Sequence, residues 1–204
     1  MNPLDISKAA EVLRKAYETK TPCAPLHEFI DADDIEAGYA IQNINTEYWL
    51  KSGRRLVGRK TGLTAKSVQS QLGVGQPDFG MLYADMAYAD GEDVPLERLM
   101  QPKIEGEIAF ILKEDLNQAQ MTLTDVVRAI DYAVAAIEIV DSRIADWNIK
   151  IMDTVADNAS SGLYVLGSQP VALADFDHRQ CGMVIEYQGE PVSTGAGSAC
   201  LGNH

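Results

Sequence analysis

The chain has 204 residues, of which 46% are hydrophobic and 23% are charged, which excludes a disordered or fibrous protein. This length predicts one medium-sized domain, or one domain with a small helical appendage. Its 30 acidic and 17 basic residues give a formal net charge of −13, so binding to nucleic acid or to an anionic membrane through bulk charge is not expected. No apolar run approaches the roughly 18 residues that span a bilayer. The scattered cysteines, Cys23, Cys181 and Cys200, are typical of reduced thiols in a cytoplasmic protein.

The first part of the chain is predicted to be helical. Apolar residues recur at helical spacing over residues 5–20, with Asp5 or Ser7 as the N-cap. A second helix is predicted over residues 34–50. Together these elements predict a helical N-terminal domain over residues 1–54.

The rest of the chain is predicted to form short strands separated by loops. Residues 55–60 are typical of a strand that enters a Gly/Thr turn, and a glycine-rich loop is predicted over residues 72–80. The remaining predicted elements are a strong strand over 104–112, a helix passing into a strand over 123–140, and short strands over 163–167 and 183–187. Because helices lead and strands follow without strict alternation, we expect an α+β fold, with a β-rich domain over residues 55–204.

Three glutamates lie inside these apolar strands. Side chains alternate along a strand, so Glu105 and Glu107 project from the same face, about 7 Å apart. Glu138 lies in a second apolar run, residues 135–140, and neither run contains a lysine or an arginine. Both strands are expected to be covered on both faces, where an unpaired carboxylate costs several kcal/mol. One hard divalent cation would resolve that cost for all three acids, and oxygen ligands favour Mg²⁺, Mn²⁺ or Ca²⁺ over zinc.

A solvated sheet face is the alternative interpretation of these acids, because half-buried strands often present polar residues to water. Glu105 and Glu107 alone do not distinguish the two interpretations. Glu138 favours the metal site, since it stands in a second run that is apolar on both faces. The non-enzymatic alternative is an acidic structural module, whose glutamates are solvated or bind calcium for stability.

Further candidate site residues come from outside these strands. Lys60 ends a strand before a glycine turn, where its ammonium could enter a cleft and donate a proton; alone, it is also typical of an exposed strand end. Asp78 stands between Pro77 and Phe79 and is either a turn former or a catalytic base. The polar run over residues 157–162 either forms an Asx turn or presents a hydroxyl to a ligand carboxylate.

Four segments of the chain resemble the 2-keto-4-pentenoate hydratases of the fumarylacetoacetate hydrolase superfamily. They are Gly58-Arg59-Lys60-Thr61-Gly62-Leu63-Thr64, Gln76-Pro77-Asp78-Phe79-Gly80, Ile104-Glu105-Gly106-Glu107-Ile108-Ala109 and Asp153-Thr154-Val155-Ala156-Asp157-Asn158-Ala159-Ser160. The resemblance covers nearly the whole chain. It implies a mixed β-roll catalytic domain behind a small helical domain. Family members continue with further closing strands, whereas this sequence stops inside a motif at residues 201–204, so we expect either a truncated chain or the absence of the closing strands.

The resemblance also implies a chemistry. Glu105, Glu107 and Glu138 match the acids that hold Mg²⁺ or Mn²⁺ in the family. The implied reaction hydrates 2-hydroxypenta-2,4-dienoate to 4-hydroxy-2-oxopentanoate in the meta-cleavage breakdown of aromatic compounds, with Lys60 and Asp78 transferring protons and a residue matching Ser160 seating the substrate carboxylate. Family members are cytoplasmic homo-oligomers, and a pathway aldolase or decarboxylase is the expected protein partner.

Two related enzymes are alternatives within the superfamily. The 4-oxalocrotonate decarboxylases use the same metal geometry to stabilise the enolate formed by loss of CO₂. The segment over residues 76–80 and Gly106 between the paired glutamates favour the hydratase. A C–C hydrolase is disfavoured, because no histidine stands where a base for water is needed.

Overall fold

The computed structural model of the protein describes residues 3–201. Residues 1–2 and 202–204 lie outside the described residues, and so does most of the motif expected at residues 201–204. The α-helices are α1 (Pro3–Thr19), α2 (Ile35–Lys51), α3 (Lys66–Leu72), α4 (Leu123–Ala129) and α5 (Ile151–Ala156). The strands are β1 (Leu56–Gly62), β2 (Asp78–Tyr83), β3 (Ala87–Ala89), β4 (Lys103–Leu112), β5 (Ile130–Val140), β6 (Ser161–Leu166), β7 (Gly182–Tyr187) and β8 (Glu190–Ala196). Over residues 3–201, every helix is too short or too polar to cross a membrane.

The two N-terminal helices confirm the predicted helical start. Asp34 caps α2, because its side chain accepts a hydrogen bond from the backbone N–H of Ala37 at 2.9 Å. The predicted N-cap of the first helix at Asp5 or Ser7 is wrong, since α1 already begins at Pro3. Proline suits a first helical turn, and Asp5 in that turn places its charge near the positive end of the helix dipole.

The predicted loop over residues 72–80 is shorter than expected, because β2 begins at Asp78. This strand pairs antiparallel with β1, with Gly62 opposite Asp78 and Lys60 opposite Gly80. Pairing with a neighbouring strand therefore overrides the local preference of a glycine-rich segment for a loop.

The chain divides into two compact units that each contain several separate segments. The first unit consists of Met1–Ala87, Asp93–Ile104 and Ile139–Leu163, and the second of Tyr88–Glu92, Glu105–Glu138 and Tyr164–His204. These groupings do not test independent folding, so the boundary expected between residues 54 and 55 stays a prediction.

The hydrophobic core of the first unit joins the helices to a later part of the chain. Its buried members are Ile6, Ala9, Ala10, Leu13, Leu26, Ile30, Ala37, Ile41, Ile144, Met152 and Ala156. Helices α2 and α5 approach closely at Gly38, where an added Cβ would lie 2.9 Å from the carbonyl oxygen of Met152. The packing of α1 and α2 is thus completed by residues about a hundred positions later in the sequence.

Asp153 on α5 is fully buried and binds two loops. Its carboxylate accepts hydrogen bonds from the backbone N–H groups of Leu26 at 2.8 Å, His27 at 3.1 Å and Lys150 at 2.8 Å. The ring Nδ1 of His27 lies 2.5 Å from the same carboxylate. Asp153 therefore fixes the segment after α1 across a separation of 126 residues.

A four-stranded sheet has the order β3-β6-β5-β4, so β4 and β5 are neighbours. Strands β7 and β8 form a separate antiparallel hairpin. Its turn residues Gln188 and Gly189 both have positive φ, which matches the twist of a two-residue hairpin turn. Together, the helical start and the mixed sheets confirm the expected α+β class.

Candidate active site

Glu105, Glu107 and Glu138 form one group, here called the acid cluster. Glu105 and Glu107 lie on β4 and Glu138 lies on the neighbouring β5, all within the second compact unit. One carboxylate oxygen from each residue lies within 4.8 Å of the others. The strand alternation and the pairing of β4 with β5 bring these acids together, while their role as metal ligands stays a prediction.

The acid cluster runs from solvent into the protein. Glu105 is exposed, Glu107 is half-buried and Glu138 is only 7% exposed. The expectation that both faces of β4 are covered is wrong for the described chain, because Ile104 is 60% exposed and Phe110 is 39% exposed on the opposite face. Burial of the carboxylates thus increases from β4 towards β5.

A divalent cation fits the acid cluster. Three ionised carboxylates this close repel one another, so the group needs either protons or a compensating positive charge. Carboxylate oxygens are hard ligands of the kind that Mg²⁺, Mn²⁺ and Ca²⁺ prefer. The donor set and its spacing therefore suit one such ion.

Lys60, Asp78 and Ser160 form a second group, here called the lysine group, within the first compact unit. Lys60 lies on β1 and Asp78, which is 2% exposed, begins β2. Both side chains reach the space beside Gly62, where an added Cβ would overlap Asp78 Oδ1 and lie 3.3 Å from Lys60 Nζ. Glycine at position 62 thus allows the ammonium and the carboxylate to approach.

The turn that carries Ser160 has an unusual backbone. Asn158, Ala159 and Ser160 have φ values of 57°, 52° and 52°, in the left-handed region that non-glycine residues rarely adopt. Strained backbone of this kind persists only where surrounding contacts hold it, and it is concentrated at functional sites. This turn directly precedes β6.

Contacts from both sides hold the turn in place. Lys60 Nζ donates a hydrogen bond to the carbonyl oxygen of Ala159 at 2.8 Å. The side chain of Asn158 accepts from Met81 N at 2.7 Å and donates to Met81 O at 2.9 Å, as a paired strand would. Ser160 is 4% exposed, and its Oγ has no hydrogen-bond partner among residues 3–201. A buried hydroxyl without a partner is available to a bound ligand.

A buried ion pair anchors the start of the same turn. Arg143 donates to Asp157 through its backbone N–H at 2.9 Å and its Nε at 2.5 Å, and its Nη1 donates to the carbonyl oxygen of Ser161 at 2.8 Å. Burial raises the pKa of Asp157 to about 6, although the adjacent Arg143 acts in the opposite direction. The pair fixes both ends of the segment that presents Ser160.

Sequence reasoning did not identify the residues that support the lysine group. Asn158 and Arg143 carry no local signal of their contacts, which join segments 77 and 14 residues apart. Gly62 and Gly80 were visible only as turn or loop glycines, whereas each allows a close approach inside a strand pair. The polar character of residues 157–162 was the one available signal for this turn.

Comparison with known proteins gives close relatives over nearly the whole chain. The chain is 57% identical over 197 residues to the TodF product hydratase of Pseudomonas putida, covering 97% of this chain and 74% of that protein. It is 56% identical to 2-keto-4-pentenoate hydratase 1 of Dechloromonas aromatica, covering 98% and 76%. It is 46% identical to a 2-hydroxypent-2,4-dienoate hydratase of Pseudomonas putida, covering 97% and 90%. No family model matches the chain.

Two solved structures have closely similar folds. The 4-oxalocrotonate decarboxylase from Pseudomonas putida G7, complexed with magnesium and adipate, superposes with a TM-score of 0.92 at 32% identity, covering all of this chain and 77% of that one. The same enzyme complexed with calcium and acetate gives a TM-score of 0.90. These matches confirm the expected fold, and with the acid cluster they support a divalent metal as cofactor. The chain therefore belongs to the 2-keto-4-pentenoate hydratase family and is a hydro-lyase, as the sequence predicted.

Proposed function

We propose that this protein hydrates 2-hydroxypenta-2,4-dienoate to 4-hydroxy-2-oxopentanoate in the meta-cleavage breakdown of aromatic compounds. The observation that carries the proposal is the acid cluster, three carboxylates within 4.8 Å, in a chain 52–57% identical to several named hydratases. The substrate is a small anion with a carboxylate beside an enol oxygen, which is the kind of chelating group that a hard cation binds.

Glu105, Glu107 and Glu138 would hold Mg²⁺ or Mn²⁺. When bound, such an ion supplies Lewis acidity that polarises the C2 oxygen of the substrate and stabilises negative charge there. The carboxylates keep the ion in place, and the buried Glu138 contributes the charge least screened by water.

Ser160 would seat the substrate carboxylate. Its hydroxyl is buried without a partner among the described residues, so it can donate to a carboxylate oxygen without giving up another hydrogen bond. The left-handed turn and the Asn158–Met81 pairing fix the position of this hydroxyl before substrate arrives. A donor held in place in this way loses little entropy on binding.

Lys60 and Asp78 would transfer the protons. In the first step the C2 hydroxyl loses a proton and C5 gains one, which converts the dienol into an α,β-unsaturated ketone. In the second step water adds at C4 and a proton is delivered to C3, which completes the net addition of one water. The Lys60 ammonium can donate and the Asp78 carboxylate can accept, and their approach beside Gly62 allows a proton to return between steps.

A decarboxylase is the second candidate, because the 4-oxalocrotonate decarboxylase structures superpose closely on this chain. Their identity to this chain is 32%, against 56–57% for two of the hydratases. The greater similarity to the hydratases supports hydration as the principal activity.

The deciding experiment supplies the purified protein with Mg²⁺ or Mn²⁺ and, separately, with 2-hydroxypenta-2,4-dienoate or 4-oxalocrotonate. Hydration consumes the conjugated dienoate, and in H₂¹⁸O it places one heavy oxygen at C4 of the product, as mass spectrometry would detect. Release of CO₂ from 4-oxalocrotonate without hydration of the dienoate would overturn the proposal in favour of the decarboxylase. The expected homo-oligomer, the cytoplasmic location and a partner aldolase or decarboxylase remain predictions.

A further inference from the structure

The first compact unit contains a cavity with a mixed polar and apolar wall that none of Lys60, Asp78 and Ser160 lines. Its volume is about 50 Å³, and a single buried water needs roughly 10–15 Å³. The space therefore suits an occupant of about three or four non-hydrogen atoms. The polar residues of its wall that matter here are Arg14, Asn45, Arg54, Arg143, Asp157 and Ser161.

Among the residues that the structure describes, no neighbouring acid neutralises the Arg14 cation of the cavity wall. Arg143 pairs with Asp157, and Arg54 pairs with Asp85 through Nε at 3.1 Å and Nη2 at 2.9 Å. Arg14 forms no ion pair with any residue in the range 3–201. It donates to Asn45 Oδ1 at 2.7 Å, and four of its five N–H groups remain for other acceptors.

A buried hydroxyl on the wall also lacks an acceptor. Ser161 is 5% exposed and its Oγ has no hydrogen-bond partner among the residues that the structure describes. Such a group is unfavourable unless a ligand or water completes it. The rings of Tyr17, Trp49 and Tyr83 also line the cavity, and the half-buried guanidinium of Arg14 lies over the ring of Tyr48 at 4.5 Å.

We propose that this cavity binds a small monovalent anion of the carboxylate type, such as formate or acetate. A planar carboxylate matches the fork of the Arg14 guanidinium and can accept a further hydrogen bond from Ser161. Water could complete the hydrogen bond of Ser161 but would bring no negative charge to the half-buried guanidinium of Arg14. The dienoate substrate, with eight non-hydrogen atoms, exceeds the space, so this site is separate from the proposed hydratase activity.

Thermal unfolding of the full chain tests the proposal. The melting temperature is measured against sodium formate, with sodium gluconate replacing it so that ionic strength stays constant. Gluconate carries the same charged group but is too large for the cavity. We expect formate to raise the melting temperature by several degrees, in a saturable way, at concentrations far above half-saturation. Equal effects of formate and gluconate would overturn the proposal.

Three variants show whether the effect belongs to this cavity. Arg14→Gln should abolish the saturable rise, and Ser161→Ala should weaken formate binding at least several-fold in calorimetry. Lys15→Gln, which removes an equal charge from an exposed neighbour on α1, should retain the full response. A formate response that survives both Arg14→Gln and Ser161→Ala contradicts the proposal, as does its loss in Lys15→Gln. If Arg14→Gln does not fold, Ser161→Ala and calorimetry on the unaltered chain decide.

Discussion

The acid cluster and the lysine group are built in different ways. The acid cluster uses regular strands, where alternation sets the direction of each side chain and neighbouring strands bring the carboxylates together. The lysine group depends on an antiparallel register, on glycines that allow close approach, and on a left-handed turn held by distant contacts. Strand alternation and pairing alone therefore bring the acids together, whereas Lys60 and Asp78, although they lie on paired strands, also depend on glycines and on contacts with a left-handed turn.

The largest effect is expected from the acid cluster. Glu107→Gln keeps the size of the side chain but removes a charged ligand, so we expect metal affinity and metal-dependent turnover to fall by roughly 100-fold or more. Metal titration by calorimetry and a dienoate assay measure both quantities. Glu114→Gln, an exposed acid of the same unit, is the control. Unchanged metal affinity in Glu107→Gln would mean that the acid cluster is merely a solvated face.

A substitution in the lysine group should lower turnover without changing metal affinity. Lys60→Ala removes a proton donor, so we expect turnover to fall by about 10²–10⁴-fold while metal affinity stays unchanged. The control is Arg59→Ala, which removes an exposed cation from the preceding position of β1. Joint loss of turnover and metal affinity in Lys60→Ala would show that the two groups do not have the separate roles assigned to them.

Gly80 lies close to the turn over residues 158–160, so a substitution at Gly80 tests how firmly that turn is held. An alanine Cβ there would overlap the carbonyl oxygen of Asn158, so Gly80→Ala should displace the turn and destabilise the protein by about 1–3 kcal/mol. Gly75→Ala is the control, since its added Cβ has no atom within 4 Å among the described residues other than its chain neighbours. Urea unfolding measures the difference. Equal stability of the two variants would argue against a tightly held turn.

The smallest effect concerns pH. Because burial raises the pKa of Asp157 from 3.8 to about 6, the folded state holds this proton more tightly than the unfolded state does. Its contribution to stability is therefore complete below pH 3.8 and declines as pH rises through 6. The stability of the unaltered protein relative to Asp157→Asn should fall between pH 4 and 7. A difference that stays constant, or grows with pH, would show that Arg143 keeps this carboxylate ionised throughout.

The sequence predicted the regular part of the molecule well. Helical spacing located α1 and α2, and the apolar runs located β4 and β5 with their glutamates. These predictions succeeded because the period of the side chains is set by local backbone geometry. The contacts of the lysine group are not local: the approach beside Gly62 requires the register of β1 on β2, and the turn requires Asn158 to pair with Met81.

The left-handed backbone of the turn could not be predicted from the sequence for a further reason. Left-handed residues are usually signalled by glycine, whereas Asn158, Ala159 and Ser160 include none. Their conformation is imposed by Lys60 and by the ion pair of Arg143 with Asp157, which no short window of sequence contains. The same limit explains why Asp78 was expected in a loop although it begins β2.

The buried carboxylate of Asp153 has a consequence for protein synthesis. It is the acceptor for Leu26 and His27, and the core around α1 and α2 includes Ile144 and Met152. The ribosome makes the N-terminal helices first, yet the acceptor for the segment between them and part of their packing surface emerge about a hundred residues later or more. During that interval the nascent chain exposes apolar helix faces, so chaperone binding should be strongest before α5 leaves the exit tunnel and should end once it docks.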